Sequence, residues 1–296
     1  MRETIPFTTE EAWLAERKKD VTSTEVSALF NVCPYKSKFQ LWHEKKGSIE
    51  DGFEDNDRAK WGRRLQDAIA FGFAADNNLD IRRLDDYVRL PHCRMGSSFD
   101  FITTDGQTLI EVKNVDGLIY KDKWIDGEAP AHIEIQVQHQ MHVIGVRKAV
   151  IAPLVGGNKL TPIYREYDPL VGKALEDQCV EFWRSIEAGI EPEIQLPCDV
   201  DTLGKLYAPV ENKVVDVTGD PTIEYALLEY KNLGAEIKAL TDRRTLAKGQ
   251  VLLALGDADK LVCGAYNVSF KEQKGAVVSY ERKDSRVFRI NERKAK

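Results

Sequence analysis

Apolar residues recur along this chain with two periods, and each change of period marks a new element. Trp61, Leu65, Ala68, Ile69 and Gly72 repeat at helical spacing, which predicts a helix over 58–75 with that stripe toward the core. Ile133, Val137, Met141 and Ile144 predict a second over 131–146, and Leu170, Ala174, Val180, Phe182, Trp183 and Ile186 a third over 169–189. Upstream, Thr8 or Thr9 is placed to cap a helix that carries Trp13 and ends at Arg17-Lys18-Lys19. Thr22 or Ser23 is placed to cap another through Glu25, Val26, Leu29 and Phe30, stopping near Cys33-Pro34. A further helix runs from Ser37 to Gly47.

The period of two appears between these helices. Phe99-Asp100-Phe101-Ile102 alternates apolar and polar, Thr104-Asp105-Gly106-Gln107 is turn chemistry, and Leu109–Val115 resumes as a strand. Ile81–Leu90, Lys148–Leu154 and Leu160–Tyr167 read as further strands, the last two joined by a Gly156-Gly157 turn. Residues 48–57 form an acidic loop, and 114–130 an irregular excursion with Tyr120, Lys121, Lys123 and Trp124. Pro192 and Pro197 close a first domain over 1–198, and 199–221 read as a linker. The appendage, 222–296, begins with a coiled-coil-like seam of Ile223, Ala226, Tyr230, Leu233, Ile237 and Leu240, ended by Gly249. Residues 251–257 read as a helix end, followed by short strands at 267–270, 276–280 and 286–290. Lys271, Lys274, Arg282, Lys283 and Arg286 leave partner contact and DNA contact both open for this tail.

Composition narrows the class. A 296-residue chain that is 43% hydrophobic can build a sizeable core. It has no apolar run of membrane-spanning length and no apolar signal-peptide core at its start, so a cytoplasmic protein is expected. The five cysteines are scattered, with no Cys-x-x-Cys, which argues against structural zinc and against an iron–sulfur cluster. A net charge of −6 suits non-specific DNA coating poorly but allows a locally basic channel.

The candidate chemistry lies in the 95–115 hairpin. Side chains alternate along a strand, so Glu111 and Lys113 share one face while Ile110 and Val112 enter the core. Pairing of the two strands brings Asp100 toward Glu111. Two carboxylates hold Mg²⁺, whose bound water is acidified, and a lysine beside them can orient or deprotonate that water. An ordinary surface hairpin with a cross-strand Glu/Lys pair has the same residues, and both readings stand at this point. Gln136 and Gln140 share a helix face at i, i+4. His139 and His142 are spaced for metal binding, but with no third ligand evident they read as polar-face or DNA-proximal residues.

Asp-x10-Glu-x-Lys resembles the PD-(D/E)XK nuclease core. Thr22-Ser-Thr-Glu25, Trp61-Gly62, Ser98-Phe-Asp100, Ile110-Glu-Val-Lys113 and Gln136-Val-Gln-His-Gln-Met141 follow the order of the YqaJ-like viral recombinase / phage lambda exonuclease family, over roughly residues 10–190. The resemblance implies an α/β fold: a restriction-endonuclease-like core, with a mixed central sheet flanked by helices, plus the C-terminal helical and β appendage. It implies a Mg²⁺-dependent nuclease (Mn²⁺ may substitute) that degrades linear double-stranded DNA 5′→3′. The 3′ overhang would serve a phage-type single-strand annealing protein. By motif position, Asp100, Glu111 and the Val112 carbonyl would hold metal, Lys113 would position the water, and Gln136 would support them. Arg17, Thr24 and Ser98 would bind the 5′-phosphate. Apart from the resemblance, the basic and aromatic residues interleaved in the 114–130 loop suit contact of Lys121 with unpaired nucleotides, and equally a loop pinned to the core by Trp124. The family glutamate after Trp-Gly is here Gln66, a neutral ligand at best; Asp67 could replace it only with a shift in helix register. A trimeric ring around DNA and a phage or prophage origin in a bacterial host are also implied. Two alternatives are a structure-selective or nicking endonuclease on the same core, and a DNA-binding or assembly protein with a decayed site.

Overall fold

The computed structural model describes residues 1–50, 56–207 and 210–275, with 277, 279 and 290. The chain forms two compact units, Met1–Pro209 and Val210–Lys296. Among the described residues no helix is long and apolar enough to cross a membrane.

The first unit begins with strand β1 (Glu3–Ile5) and helix α1 (Glu10–Arg17). Thr9 caps α1 by accepting the Ala12 amide. Strand β2 (Val21–Thr22) leads into a 3-10 turn, Val26–Phe30, in place of the expected α-helix. Glu25 reaches back to the Thr22 amide and hydroxyl and pairs with Lys45 at 2.9 Å, which pins the chain in a tight bend. Helix α2 (Lys38–Lys46) is capped by Ser37 and closed by Gly47 at φ +80°. Helix α3 is longer than predicted, Asp57–Asn77.

The predicted strand 81–90 is two strands, β3 (Ile81–Arg83) and β4 (Tyr87–Leu90), in different sheets. Strands β5 (Met95–Ser97), β6 (Phe101–Thr103) and β7 (Thr108–Val115) follow. The excursion after β7 contains helix α4 (Gly117–Lys123), capped by Asp116. Helix α5 (Ala131–Ile144), strands β8 (Lys148–Val155), β9 (Lys159–Leu160) and β10 (Ile163–Glu166), and helices α6 (Pro169–Ala188) and α7 (Val200–Leu206) complete the unit. Residues 199–206 are therefore not linker. Asp199 is fully buried and accepts from Ser37 Oγ and the Gln195 amide, which fastens this segment to the unit.

The main sheet has the order β10-β8-β7-β6-β3, with β9 on β8. Only β7 and β8 run parallel in it, over eight residue pairs, and α5 makes the crossover. A smaller sheet, β1-β4-β5-β2, is also mixed. The fold is thus α/β, with a mixed sheet flanked by helices, as expected. Alternation along the strands divides the core. Phe101, Ile110, Val150 and Ala152 meet Ala70 and Phe73 of α3 on one face. Ile102, Leu109, Ala149 and Ile151 belong to the larger cluster with Val137 and Met141 of α5 and Phe182 of α6.

The buried stripe of α3 is Ile69, Ala70, Phe73 and Ala74; of the predicted stripe Ile69 is buried and Leu65 half-buried, while Trp61, Ala68 and Gly72 are exposed. Only the C-terminal half of α3 lies on the sheet, and its first half carries Gly62, Arg63 and Gln66 to the edge of a cavity.

The second unit contains helix α8 (Pro221–Leu255), capped by Asp220, which runs through Gly249 instead of stopping there. Strands β11 (Lys260–Cys263) and β12 (Tyr266–Ser269) form a hairpin around Gly264 at φ +55°. The expected strands at 276–280 and 286–290 lie outside the described residues.

Candidate active site

The β6–β7 register, Phe101 opposite Ile110 and Ile102 opposite Leu109, carries Asp100 to the position opposite Glu111. Asp100 Oδ2 accepts the Val112 amide at 2.8 Å, and Gln66 Nε2 donates to Oδ1. Glu111 is buried and fully engaged. Its Oε1 receives Gln136 Nε2 at 2.6 Å and Lys113 Nζ at 2.7 Å, and its Oε2 receives Gln140 Nε2 at 2.7 Å. Lys113 also donates to Gln136 Oε1 at 3.0 Å.

Burial, and then the charge of Glu111, push the Asp100 carboxyl up to about 8; the Val112 amide and Lys113 oppose this. Burial works against the Lys113 ammonium, but Glu111 and Asp100 outweigh it and hold the amine above its usual range. Two carboxylates, Glu111 buried and Asp100 half-buried, thus repel each other with one ammonium beside them. A hard divalent cation would relieve that repulsion, and the carboxylate, carbonyl and amide oxygens here are the donors such an ion prefers. The residues therefore fit Mg²⁺.

A second cluster meets the first through Trp13. Its Nε1 donates to Ser98 Oγ at 2.7 Å, and the Arg17 guanidinium stacks on its ring, 4.6 Å from the centroid. Arg17 also donates to Thr24 Oγ1 at 3.4 Å. Both clusters line one cavity of about 340 Å³. It brings together Arg17, Thr24, Gln66, Ser98, Asp100, Glu111, Val112, Lys113 and Gln136.

Lys121 is not brought in; it is exposed on α4, away from the cavity lining. Asp67 pairs with Arg83 and does not replace Gln66. His139 is fully buried, not on a polar face, and His142 turns to Tyr167 and Glu176. Sequence reasoning missed Gln140, Trp13, Arg63 and Asn114 among the lining residues. The i, i+4 spacing of Gln140 from Gln136 signals the first; no local pattern signals Trp13.

Residues 12–147 match the family model described as the YqaJ-like viral recombinase domain. The chain is 26% identical over 268 residues to the uncharacterized protein YqaJ of Bacillus subtilis (strain 168), covering 88% of this chain and 82% of that one. The fold is similar to that of the alkaline exonuclease LHK-Exo from Laribacter hongkongensis, alone and in complex with dAMP. In each case the TM-score is 0.51 at 18% identity, covering 61% of this chain and 94% of the other.

Proposed function

We propose, from the match of residues 12–147 to the YqaJ-like viral recombinase domain model, that this chain is a metal-dependent exonuclease on linear double-stranded DNA. It would degrade 5′→3′ and leave a 3′ overhang for a phage-type single-strand annealing protein. The observation that carries this reading is the carboxylate pair Asp100–Glu111 with Lys113, in the same cavity as Arg17, Thr24 and Ser98.

Asp100 and Glu111, with the Val112 carbonyl, would hold Mg²⁺ or Mn²⁺. The ion would supply charge neutralisation at the scissile phosphate and a more acidic water. Lys113, tied to Glu111 and Gln136, is held where its ammonium can orient a water beside the carboxylates and offset negative charge that develops on the phosphate. Gln136 and Gln140 fix both oxygens of Glu111, so that carboxylate enters the reaction without rearranging. Arg17 would fork onto a terminal 5′-phosphate while the hydroxyls of Thr24 and Ser98 donate to it. Water attack on phosphorus would break the P–O3′ bond and free a 5′-mononucleotide, the class of molecule bound in the dAMP complex of LHK-Exo. The same reading implies a homo-oligomer, three copies in a ring around the duplex.

The test is digestion with Mg²⁺ of linear duplexes bearing 5′-phosphate or 5′-hydroxyl ends, beside covalently closed circles. Loss of the phosphorylated linear duplex with circles intact supports the exonuclease. Cut circles replace it with an endonuclease. DNA binding without cleavage in Mg²⁺ or Mn²⁺ replaces it with a binding protein.

A further inference from the structure

Where the turn after β4 meets α6, outside the lining of the active-site cavity, lies a second group of metal-ligating side chains. We infer that His92, Cys93 and Glu176 form a three-ligand site for a transition-metal ion of the zinc type, with His142 as the outer partner of the Glu176 carboxylate.

The geometry is that of ligands around a small ion. On Glu176 of α6, Oε1 lies 3.3 Å from His92 Nε2, while the other oxygen, Oε2, is hydrogen-bonded to His142 Nε2 at 3.2 Å. Charge-assisted hydrogen bonds are shorter, about 2.7–2.9 Å. Two ligand atoms on a tetrahedral ion with bonds of about 2.0–2.1 Å lie roughly 3.3 Å apart. Ligating atoms of His92, Cys93 and Glu176 all fall within 4.8 Å of one another. The other ring nitrogen of His142 meets the Tyr167 hydroxyl at 2.7 Å. With Nδ1 accepting there, Nε2–H donates to Glu176 Oε2 and orients the carboxylate, as outer partners do for metal ligands. A cavity of about 190 Å³ lined by His92, His142 and Glu176 provides room. Arg2 lines it too, but its guanidinium is engaged by the carbonyls of Val143 and His142.

This donor set of nitrogen, one carboxylate and sulfur is distinct from the oxygen set at Asp100 and Glu111, and it selects a softer ion. The ion would tie the turn after β4 to α6, and through the His142–Glu176 hydrogen bond to the helix that carries Gln136 and Gln140. The ligands are distant in sequence, so spacing alone conceals them.

The experiment is competition for Zn²⁺ between the full chain and a chromophoric chelator, in excess Mg²⁺ that occupies the carboxylate pair, paired with thermal melts. The wild type is expected to take one zinc equivalent and to melt higher with zinc than without. His92→Ala and Glu176→Gln should weaken that binding by about tenfold or more, whereas Asp100→Asn should retain it. His92 is half exposed, so its variant should melt like the wild type without metal, which separates ligand loss from misfolding. Co²⁺ should show the intense visible bands of tetrahedral coordination in the wild type and not in His92→Ala. Zinc binding that survives both ligand variants, or that disappears with Asp100→Asn, overturns the assignment, as does failure of the wild type to compete.

Discussion

Lys113 Nζ lies 2.7 Å from Glu111 Oε1, two positions away on the same strand. The strand period alone puts the two side chains on one face, and burial makes the contact consequential. The ammonium is held charged by carboxylates that water screens little. Lys113→Ala is expected to slow hydrolysis by about 10²-fold or more, with end binding changed only a few-fold. Single-turnover cleavage beside fluorescence anisotropy on a labelled duplex checks this. Equal losses in both would make Lys113 a binding residue.

Gln66 touches Asp100 from α3, where the resembled family has a glutamate. Gln66→Glu adds a third carboxylate to a pair that already repels. Without metal, the variant is expected to melt lower than the wild type. With Mg²⁺ it should reach half-maximal cleavage at a lower concentration, by about threefold to tenfold, since ligand charge tunes affinity. A metal titration of cleavage and melts with and without Mg²⁺ measure both. An unchanged midpoint would show that Gln66 is not beside the ion.

What the sequence reveals of this site depends on how far each contact reaches. Asp100 opposite Glu111 is legible because the Asp105-Gly106 turn sets the register of a local hairpin. The break between Arg83 and Tyr87 is not, because 81–90 reads as one β-rich run. The Leu84 amide is taken by the Asp100 carbonyl, which sends the two halves to different sheets. Helix α4 hides because it buries none of its residues and so has no apolar stripe. Trp61 misleads for the opposite reason: a large aromatic at helical spacing suggests core, yet it is 52% exposed. Trp13 meets Ser98 from 85 residues away, beyond the reach of any periodicity.

Asp20 is buried beneath α1 and receives Arg89 Nε at 2.7 Å and the Tyr87 hydroxyl at 3.0 Å. Arg89 also grips Glu16 at 2.9 Å, so one guanidinium joins the small sheet to the helix that carries Trp13 and Arg17. Arg89→Met leaves Asp20 without its cation and is expected to cost about 3–5 kcal/mol. Urea denaturation reads the loss. A cost below about 1 kcal/mol would mean that water already reaches Asp20.

His139 makes stability depend on acidity. Burial first, and the neighbouring His142 second, lower its pKa to about 3, against an ordinary value of 6.5. The unfolded chain therefore takes up this proton more readily than the folded one. The contribution is whole above about pH 6.5 and declines by about 1.4 kcal/mol per pH unit as pH falls toward 3. His139→Leu removes the group. The stability difference between variant and wild type is expected to move in favour of the variant by about 2 kcal/mol from pH 7 to pH 5. Parallel pH curves would show that His139 is hydrated in the native state.

Trp13 couples the two halves of the cavity by donating to Ser98 while presenting its face to Arg17. Trp13→Phe keeps a ring for the guanidinium but removes the donor, so the Ser98 hydroxyl is free to rotate. A net hydrogen bond contributes about 1 kcal/mol. The preference for 5′-phosphate over 5′-hydroxyl ends should therefore fall about fivefold, with the rate on 5′-hydroxyl ends nearly unchanged. Arg17→Ala should abolish the preference, because it removes the charge itself. Initial rates on the two duplexes give both ratios. If Trp13→Phe slows both ends equally, the indole holds the α1 scaffold and Ser98 takes no part in reading the end.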